Sequence, residues 1–413
     1  MRYRIRTRAA LIAGAAFAFS GIALAVPPHF VLVEPLEGHN WTSVYSVTAD
    51  GLLATGLSQS PRGAVPFFWS VESGRADFIT GYDGTFLVAV SEDRSVIAAM
   101  FWRNGERATL LYLGPIEGPY TGLSNTEEFS YNPLGMSGDG SVVYGVRSPS
   151  GTGLGESRPF IWRGGDSAPE LPNITTSYDT IGGGPNASSC MDYSGSQLVG
   201  MLGNNEYGIF LGVVWEGDTV SVLPGLPDDP VQMGYVAGIS RNGRYISGMY
   251  YDWGAIWDNR VLTTIFPPIY LYTYPVMTAV ADHGRLAVSD DQIWTRERGL
   301  EDATVFLAAH GAPITEGWGF YHFNSISADG SVLVGTLYRD SPRIYRGFIA
   351  YTSYSPCFAD FNEDGGVEGR DVEDFFLAWQ ASEERADVNI DGGVDGADIE
   401  TFFTQWARGG CAQ

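Results

Sequence analysis

Between residues 29 and 351 the chain is built of short runs in which apolar and polar positions alternate. These runs are rich in aromatic and β-branched residues and are broken by glycine-containing turns. A period of two predicts strands with one buried face, and Asp-Gly or Asn-Gly between two such runs is the strongest short-range hairpin signal. The pattern repeats. SVTADGLLATG at 46–56 returns as GMSGDGSVVYG at 135–145 and SISADGSVLVG at 325–335. Weaker copies are AVSEDRSVIAA (89–99), CMDYSGSQLVG (190–200), GISRNGRYISG (238–248) and AVADHGRLAVS (279–289).

The turn dipeptides are Asp50-Gly51, Asp93-Arg94, Asp139-Gly140, Ser194-Gly195, Asn242-Gly243, His283-Gly284 and Asp329-Gly330, stepping by 43, 46, 55, 48, 41 and 46 residues. A two-residue hairpin of this kind places both turn residues at positive φ. Six positions after the first turn residue stands a small one: Gly56, Gly145, Gly200, Gly248 and Gly335, with Ala99 and Ser289 in the other two copies. Close approach of a neighbouring backbone would require that. Behind five of the hairpins an apolar segment ends in tryptophan, at Trp69, Trp162, Trp215, Trp257 and Trp294. Tryptophans locked to a repeat are expected to pack between neighbouring units.

A period of about 45 residues fits four-stranded propeller blades. The expected fold is therefore mostly β, a seven-bladed β-propeller-like domain over residues 26–351. An extra strand, HFVLVEPLEG at 29–38, precedes the first unit, while the last unit ends early after RGFIAYTS. The extra strand is expected to complete the seventh blade and close the ring. A parallel solenoid is the competing architecture, and the extra strand argues against it. The repeat resembles the HAF-type extracellular repeats of bacterial secreted proteins, with their SxDGSxVVG and AFxW segments. That resemblance implies an extracellular β-repeat architecture and says little about activity.

At the C-terminus the period changes. Val372, Phe375, Phe376 and Trp379 recur at helical spacing, and Ile399, Phe402, Phe403 and Trp406 repeat it. Each stripe predicts a helix with one buried face. Each follows an acidic phrase, ADFNEDGGVEGRD or ADVNIDGGVDGAD, 27 residues apart. Asp360, Asn362 and Asp364 occupy positions 1, 3 and 5 of a twelve-residue loop, with Gly365 at the sharp turn. Gly366 offers a carbonyl at position 7, Glu368 stands at 9 and Asp371 at 12. Asp387, Asn389, Asp391, Gly392, Gly393, Asp395 and Asp398 repeat the set. Calcium takes six to eight hard oxygen ligands in flexible geometry, and such a loop supplies them. Two Ca²⁺ ions are the expected cofactors. YTSYSP, not an amphipathic helix, enters the first loop, so each unit is half an EF-hand.

Two such halves with Asp at position 12 resemble a type I dockerin. Cys357 and Cys411, which bracket them, and the ending ARGGCAQ look like the GC-type variant. The resemblance covers about residues 357–411, after a short linker at 352–356. It implies an anchoring domain that docks onto a cohesin-like protein receptor. Cellulosomal dockerins typically carry hydroxylated residues at loop positions 10 and 11, where this chain has Gly369-Arg370 and Gly396-Ala397. That departure touches the identity of the partner rather than the calcium fold. A Cys357–Cys411 disulfide would restrict the unfolded chain by about 4 kcal/mol in the entropic account. With 14 acidic and 3 basic residues in 357–413, the segment is expected to fold together with its metal. Cys190 is read as a buried thiol.

The first 25 residues read as a signal peptide: Arg2, Arg4, Arg6 and Arg8, an apolar run from Ala9 to Ile22, and the small-x-small Ala23-Leu24-Ala25. The run is too short to span a bilayer, so the expectation is a secreted or cell-surface protein with no transmembrane segment. Loss of the four arginines takes the formal net charge from −24 to −28. So acidic a chain is a poor partner for nucleic acid. It contains no lysine, which excludes Schiff-base and Walker A chemistry. No HExxH, GxSxG or phosphate-loop motif occurs. In PPIYLYTYP, Tyr270, Tyr272 and Tyr274 share one strand face; blade packing is the favoured reading and sugar stacking the alternative. The functional expectation is a secreted binding or scaffold propeller without catalysis, displayed by the dockerin-like anchor, with polysaccharide as a candidate ligand. An extracellular hydrolase on the same anchor and a purely structural surface component are the alternatives.

Overall fold

The computed structural model describes residues 26–407 apart from 61–62, 79–84, 93–94, 104–105, 115–120, 125–128, 150–157, 165–170, 172–182, 185–189, 205–208, 227–233, 268–274, 363–365 and 390–392. The leader at 1–25, the Asp93-Arg94 turn, Tyr270, Tyr272, Tyr274 and Cys411 lie outside the described residues. So do Asp364, Gly365, Asp391 and Gly392.

The alternating runs are strands, and after β1 (His29–Val33) the described strands fall into antiparallel groups. The first is β2 (Trp41–Val47), β3 (Leu53–Ser60), β4 (Gly63–Ser70) and β5 (Arg75–Phe78). The second is β6 (Thr85–Val90), β7 (Ile97–Arg103), β8 (Glu106–Gly114) and β9 (Thr121–Ser124). The third is β10 (Phe129–Met136), β11 (Val143–Pro149) and β12 (Arg158–Trp162). The fourth is β13 (Gly183–Gly184), β14 (Gln197–Asn204), β15 (Ile209–Glu216) and β16 (Thr219–Val222). The fifth is β17 (Gly234–Ile239), β18 (Tyr245–Tyr250), β19 (Trp253–Asp258) and β20 (Val261–Phe266). The sixth is β21 (Ala279–Val280), β22 (Leu286–Val288), β23 (Gln292–Thr295) and β24 (Gly299–Asp302), followed by the helix α1 (Ala303–Ala309). The last is β25 (Gly319–Ile326), β26 (Val332–Asp340) and β27 (Arg343–Tyr351). Its fourth strand is β1, paired antiparallel with β27 from His29–Tyr351 to Val33–Gly347. The extra N-terminal strand thus completes the last group, as the sequence pattern predicts.

Each described turn of the repeat joins the first two strands of its group, and its side chains explain the motif. Ser327 donates its hydroxyl to Asp329 Oδ1 (2.6 Å) and accepts the Val332 amide (2.9 Å), while Asp329 accepts the Ser331 amide (2.9 Å). Thr48–Asp50, Ser137–Asp139 and Ser240–Asn242 make the same hydroxyl-to-side-chain bond at 2.6–2.7 Å. In the fourth copy the roles are exchanged, Ser194 donating to Asp192 (2.6 Å). One correction follows. Gly51, Gly140, Gly195, Gly243, Gly284 and Gly330 have φ between 67° and 79°, but the residue before each is not at positive φ. The turn is a four-residue loop held by side chains, not a two-residue hairpin, because the Ser/Thr and Asp oxygens satisfy the amides that a tighter turn would leave to the backbone.

The second glycine is crowded by its own hairpin. A bulge in the first strand, as between Phe323 and Ser325, pushes a carbonyl toward it. A Cβ would come within 2.0–2.2 Å of a backbone oxygen at Gly56, Gly145, Gly248 and Gly335.

The turns also hold one another. The Glu92 amide donates to Gly138 O (2.8 Å), Asp139 to Tyr193 O (3.0 Å) and Tyr193 to Arg241 O (2.7 Å). The Arg241 amide donates to the Asp282 carboxylate (2.6 Å), Asp282 to Ala328 O (2.9 Å) and Ala328 to Ala49 O (3.0 Å). The Ala49 amide donates to the Glu92 carboxylate, which returns the chain of bonds to its start. Between groups, the tryptophans pack as expected: all five are buried. Trp257 donates to Pro224 O (2.9 Å), Trp69 to the Tyr351 hydroxyl (3.2 Å), and Trp294 stacks on Phe266 at 5.5 Å. Cys190 is buried and outside any disulfide, its thiol donating to Ala237 O (3.4 Å).

Residues 352–356 leave β27 along the face of the sixth group, where Tyr354 is buried against Phe306 (5.7 Å) and the Ser353 amide donates to His310 O (2.9 Å). Two helices follow, α2 (Gly369–Gln380) and α3 (Gly396–Ala407). No helix leads directly into the first acidic loop, residues 352–362 being non-helical, so the two are not an EF-hand pair. No helix of the described residues is long and apolar enough to cross a membrane.

Gly335→Ala is expected to destabilise the protein by about 1–3 kcal/mol through the collision with His322 O. Gly369→Ala, where a Cβ meets nothing within 4 Å, is expected to be neutral. Chemical denaturation followed by tryptophan fluorescence separates the two.

Candidate functional site

Both apolar stripes of the C-terminal module face one small core. Phe375 and Phe402 are fully buried and stacked, their centroids 4.2 Å apart and their planes within 2°. Val372, Phe376, Trp379, Ile399, Phe403 and Trp406 close around them, half-buried. The two loop–helix units are related reciprocally. Trp379 donates its indole N–H to Asp395 O (2.7 Å), and Trp406 donates to Glu368 O (3.4 Å).

At loop position 12, Asp371 and Asp398 are fully buried. Asp371 accepts the amides of Asn362 (3.0 Å) and Glu368 (2.8 Å), and Asp398 those of Asn389 (3.3 Å) and Asp395 (2.8 Å). Each aspartate therefore folds positions 3 and 9 back over the start of its helix. Among the described residues neither is ion-paired, and no group of three His, Cys, Asp or Glu side chains converges. Position 5 of each loop, Asp364 or Asp391, lies outside the described residues. The donor chemistry fits a hard cation, since every donor of the two loops is an oxygen, the kind of ligand Ca²⁺ takes. Asp360, Asn362, Gly366, Glu368 and Asp371 would hold one ion, and Asp387, Asn389, Gly393, Asp395 and Asp398 the other. Cys357 is disulfide-bonded.

A second site sits on the axis of the ring of turns. A small cavity there is lined from all strand groups, by Ser46, Ala89, Met136, Met191, Ile239, Val280 and Ile326 among others. Its floor is Arg241, whose guanidinium bonds Glu92 (2.7 Å), Ile326 O (2.8 Å) and Val47 O (2.7 Å). Arg241 thus ties the fifth group to the first, second and last. Its charge is spent within the fold, held by Glu92 and Asp282 against the cost of burial. Sequence reasoning missed this residue. The signal was present: the position before each turn dipeptide is Ala49, Gly138 or Ala328 in the strongest copies, and Arg241 in the fifth.

A cleft of about 390 Å³ separates the module from the fifth and sixth groups, with Arg244, Asp258 and Thr263 on one wall and Phe361, Asn362 and Asp387 on the other. Arg244 is paired with Asp258 through two bonds of 2.7 and 2.9 Å.

No family model matches the chain, and no curated protein does. Among solved structures, an oligogalacturonate lyase in complex with manganese gives a TM-score of 0.51 at 10% identity, over 79% of this chain and 97% of that one. The β-propeller domain of the Trilobed protease from Pyrococcus furiosus, described as having an open velcro topology, gives 0.49 at 11% identity, over 76% and 93%. TolB from Acinetobacter baumannii gives 0.38 at 12% identity over 76% of this chain; the chain spans 64% of that protein's length. The likeness to the lyase is one of fold alone. The chain is a mostly-β protein of the β-propeller class.

Asp282 supplies the pH dependence of the ring. Burial holds its carboxyl up at about 6, against the opposing pull of Arg241 and of the Arg241 and Asn242 amides. An acid with a folded-state value above its unfolded value of about 4 adds stability that is complete below pH 4 and lost as pH rises through 6. Between pH 4 and 7 the parent should therefore lose more stability than Asp282→Asn, by on the order of 2–3 kcal/mol. Denaturant titrations of both proteins across that range read the difference.

Proposed function

We propose that the chain is a secreted or cell-surface protein whose seven-bladed propeller binds a ligand without catalysis. A calcium-dependent, dockerin-like module displays that propeller by docking onto a cohesin-like receptor. The observation that carries the anchor reading is the repetition of one loop–helix unit in space. Asp371 and Asp398 close matching loops, and Trp379 and Trp406 each donate to the other unit's position-9 carbonyl. A single metal loop would need no such symmetry; a paired one with a shared core does. Seven blades are favoured by the ring of turn-to-turn bonds, and by β1, which gives the last group its fourth strand. Binding is favoured over turnover at the axial cavity because Arg241 and Glu92, which form its floor, are bonded to each other. Polysaccharide is the ligand class to test there first.

Calorimetric titration of Ca²⁺ into the full chain, stripped with chelator beforehand, is expected to show two ions bound. Asp371→Asn and Asp398→Asn should each abolish or weaken one by at least tenfold. A parent chain that takes up no calcium would sink the anchor reading.

A further inference from the structure

The sixth turn departs from the repeat in two places, and both departures touch the C-terminal module. Where the first, third and last copies carry Asp, this one carries His283, and where the third and last carry Ser at the second position beyond it, this one carries Arg285. The turn itself survives, since His283 Nδ1 accepts the Arg285 amide at 2.9 Å, as Asp329 accepts that of Ser331. What the exchange adds is a seat. Arg285 is buried and donates to Cys357 O (2.8 Å) and Asp360 O (3.2 Å), with Phe358 packed over its guanidinium at 5.6 Å. The His283 ring lies against Tyr354 (6.2 Å) and Phe358 (6.0 Å), and the Tyr354 hydroxyl donates to Arg285 O (3.3 Å). Residue 360 is position 1 of the first acidic loop.

Resting on the reading of that loop as a calcium site, we propose that the sixth repeat is an intramolecular receptor for the module. Calcium binding at 360–371 and seating on the propeller are then one linked equilibrium. Arg285 needs two carbonyls three residues apart held at a fixed spacing. Calcium in the loop would fix that spacing, whereas mutual repulsion of the loop's carboxylates disfavours it when no cation is bound. By linkage, seating must raise the first loop's calcium affinity by the factor with which calcium favours seating. The cleft beside the seat leaves Asn362 and Asp387 in contact with solvent space, so the ion can enter with the module in place. The handle would then be held in one orientation to the propeller when loaded and released when calcium is withdrawn.

The test reverts the sixth turn to the repeat, His283→Asp with Arg285→Ser, in the full chain. The reverted turn has the Asp-Gly-Ser side chains that fold at 329–331, so the propeller is expected to stay folded, which its thermal unfolding checks. The parent is expected to bind two ions, and in calcium to resist chymotrypsin at Tyr354. The double variant should bind one ion about tenfold more weakly, the other as before, and be cut at Tyr354 even in calcium. Both ions bound with parental affinity would overturn the linkage, whether or not Tyr354 is cut. A weakened site with Tyr354 still protected would overturn the seat. Absence of calcium uptake by the parent would overturn the anchor reading as well, which keeps the two failures apart.

Discussion

In this fold one bond must be made many times over and then made to close: the amide of one turn to the turn beside it. A hairpin satisfies its own backbone bonds, but an open arc of such groups leaves the apolar face of the group at each end uncovered. The chain meets this constraint with what sits at each turn. Glycine is needed both for its positive φ and because side chains of the preceding copy lie where a Cβ would be. Val332 approaches Gly51, Ser91 approaches Gly140 and Val142 approaches Gly195. Where a backbone carbonyl does not reach, a carboxylate stands in, Glu92 at one junction and Asp282 at another. Those two acids are the ones that flank Arg241, so the cation on the axis and the gaps in the ring are one solution to one geometric problem.

Much of this was legible in the sequence because the repeat encodes local needs. The Ser-x-Asp-Gly spacing, the second glycine and the tryptophans each answer to contacts inside a hairpin or with its neighbour, and most copies state them again. The role of β1 was legible for a different reason: a unit short of a strand at one end of the chain and a spare strand at the other have a single economical pairing. The conformation of the residue before each glycine was misread because Asp-Gly is shared by two kinds of turn. The serine two positions earlier, whose hydroxyl lends itself to the backbone, distinguishes them.

Arg241 and Arg285 were not legible from periodicity, since what they satisfy lies far away in sequence. Arg241 and Glu92 are 149 residues apart, and Arg285 and Asp360 are 75. A departure from a repeat carries no information about what caused it until the partner is placed. In the C-terminal module the reverse holds. Its stripe and its position-12 aspartates were legible because loop and helix are contiguous, and the reciprocal tryptophan bonds follow from two copies sharing one core.

The absence of lysine gives these arginines a common physical role. At three junctions where distant parts of the chain meet, an arginine bridges backbone oxygens. Arg241 does so to Ile326 and Val47, and Arg285 to Cys357 and Asp360. Arg346 of β27 does so to Asn40 and Tyr345, where the two ends of the strand circle meet, and reaches Glu34 at 3.3 Å. A carbonyl pair is a planar target with two acceptors, and the guanidinium is a planar fork with donors to match. An ammonium group offers a point charge that must be desolvated more completely for the same contact. In a chain this acidic, surface pairing could have been served by either cation. What decides for arginine at Arg241 and Arg285 is that the bridge is largely withdrawn from water and must satisfy two oxygens at once.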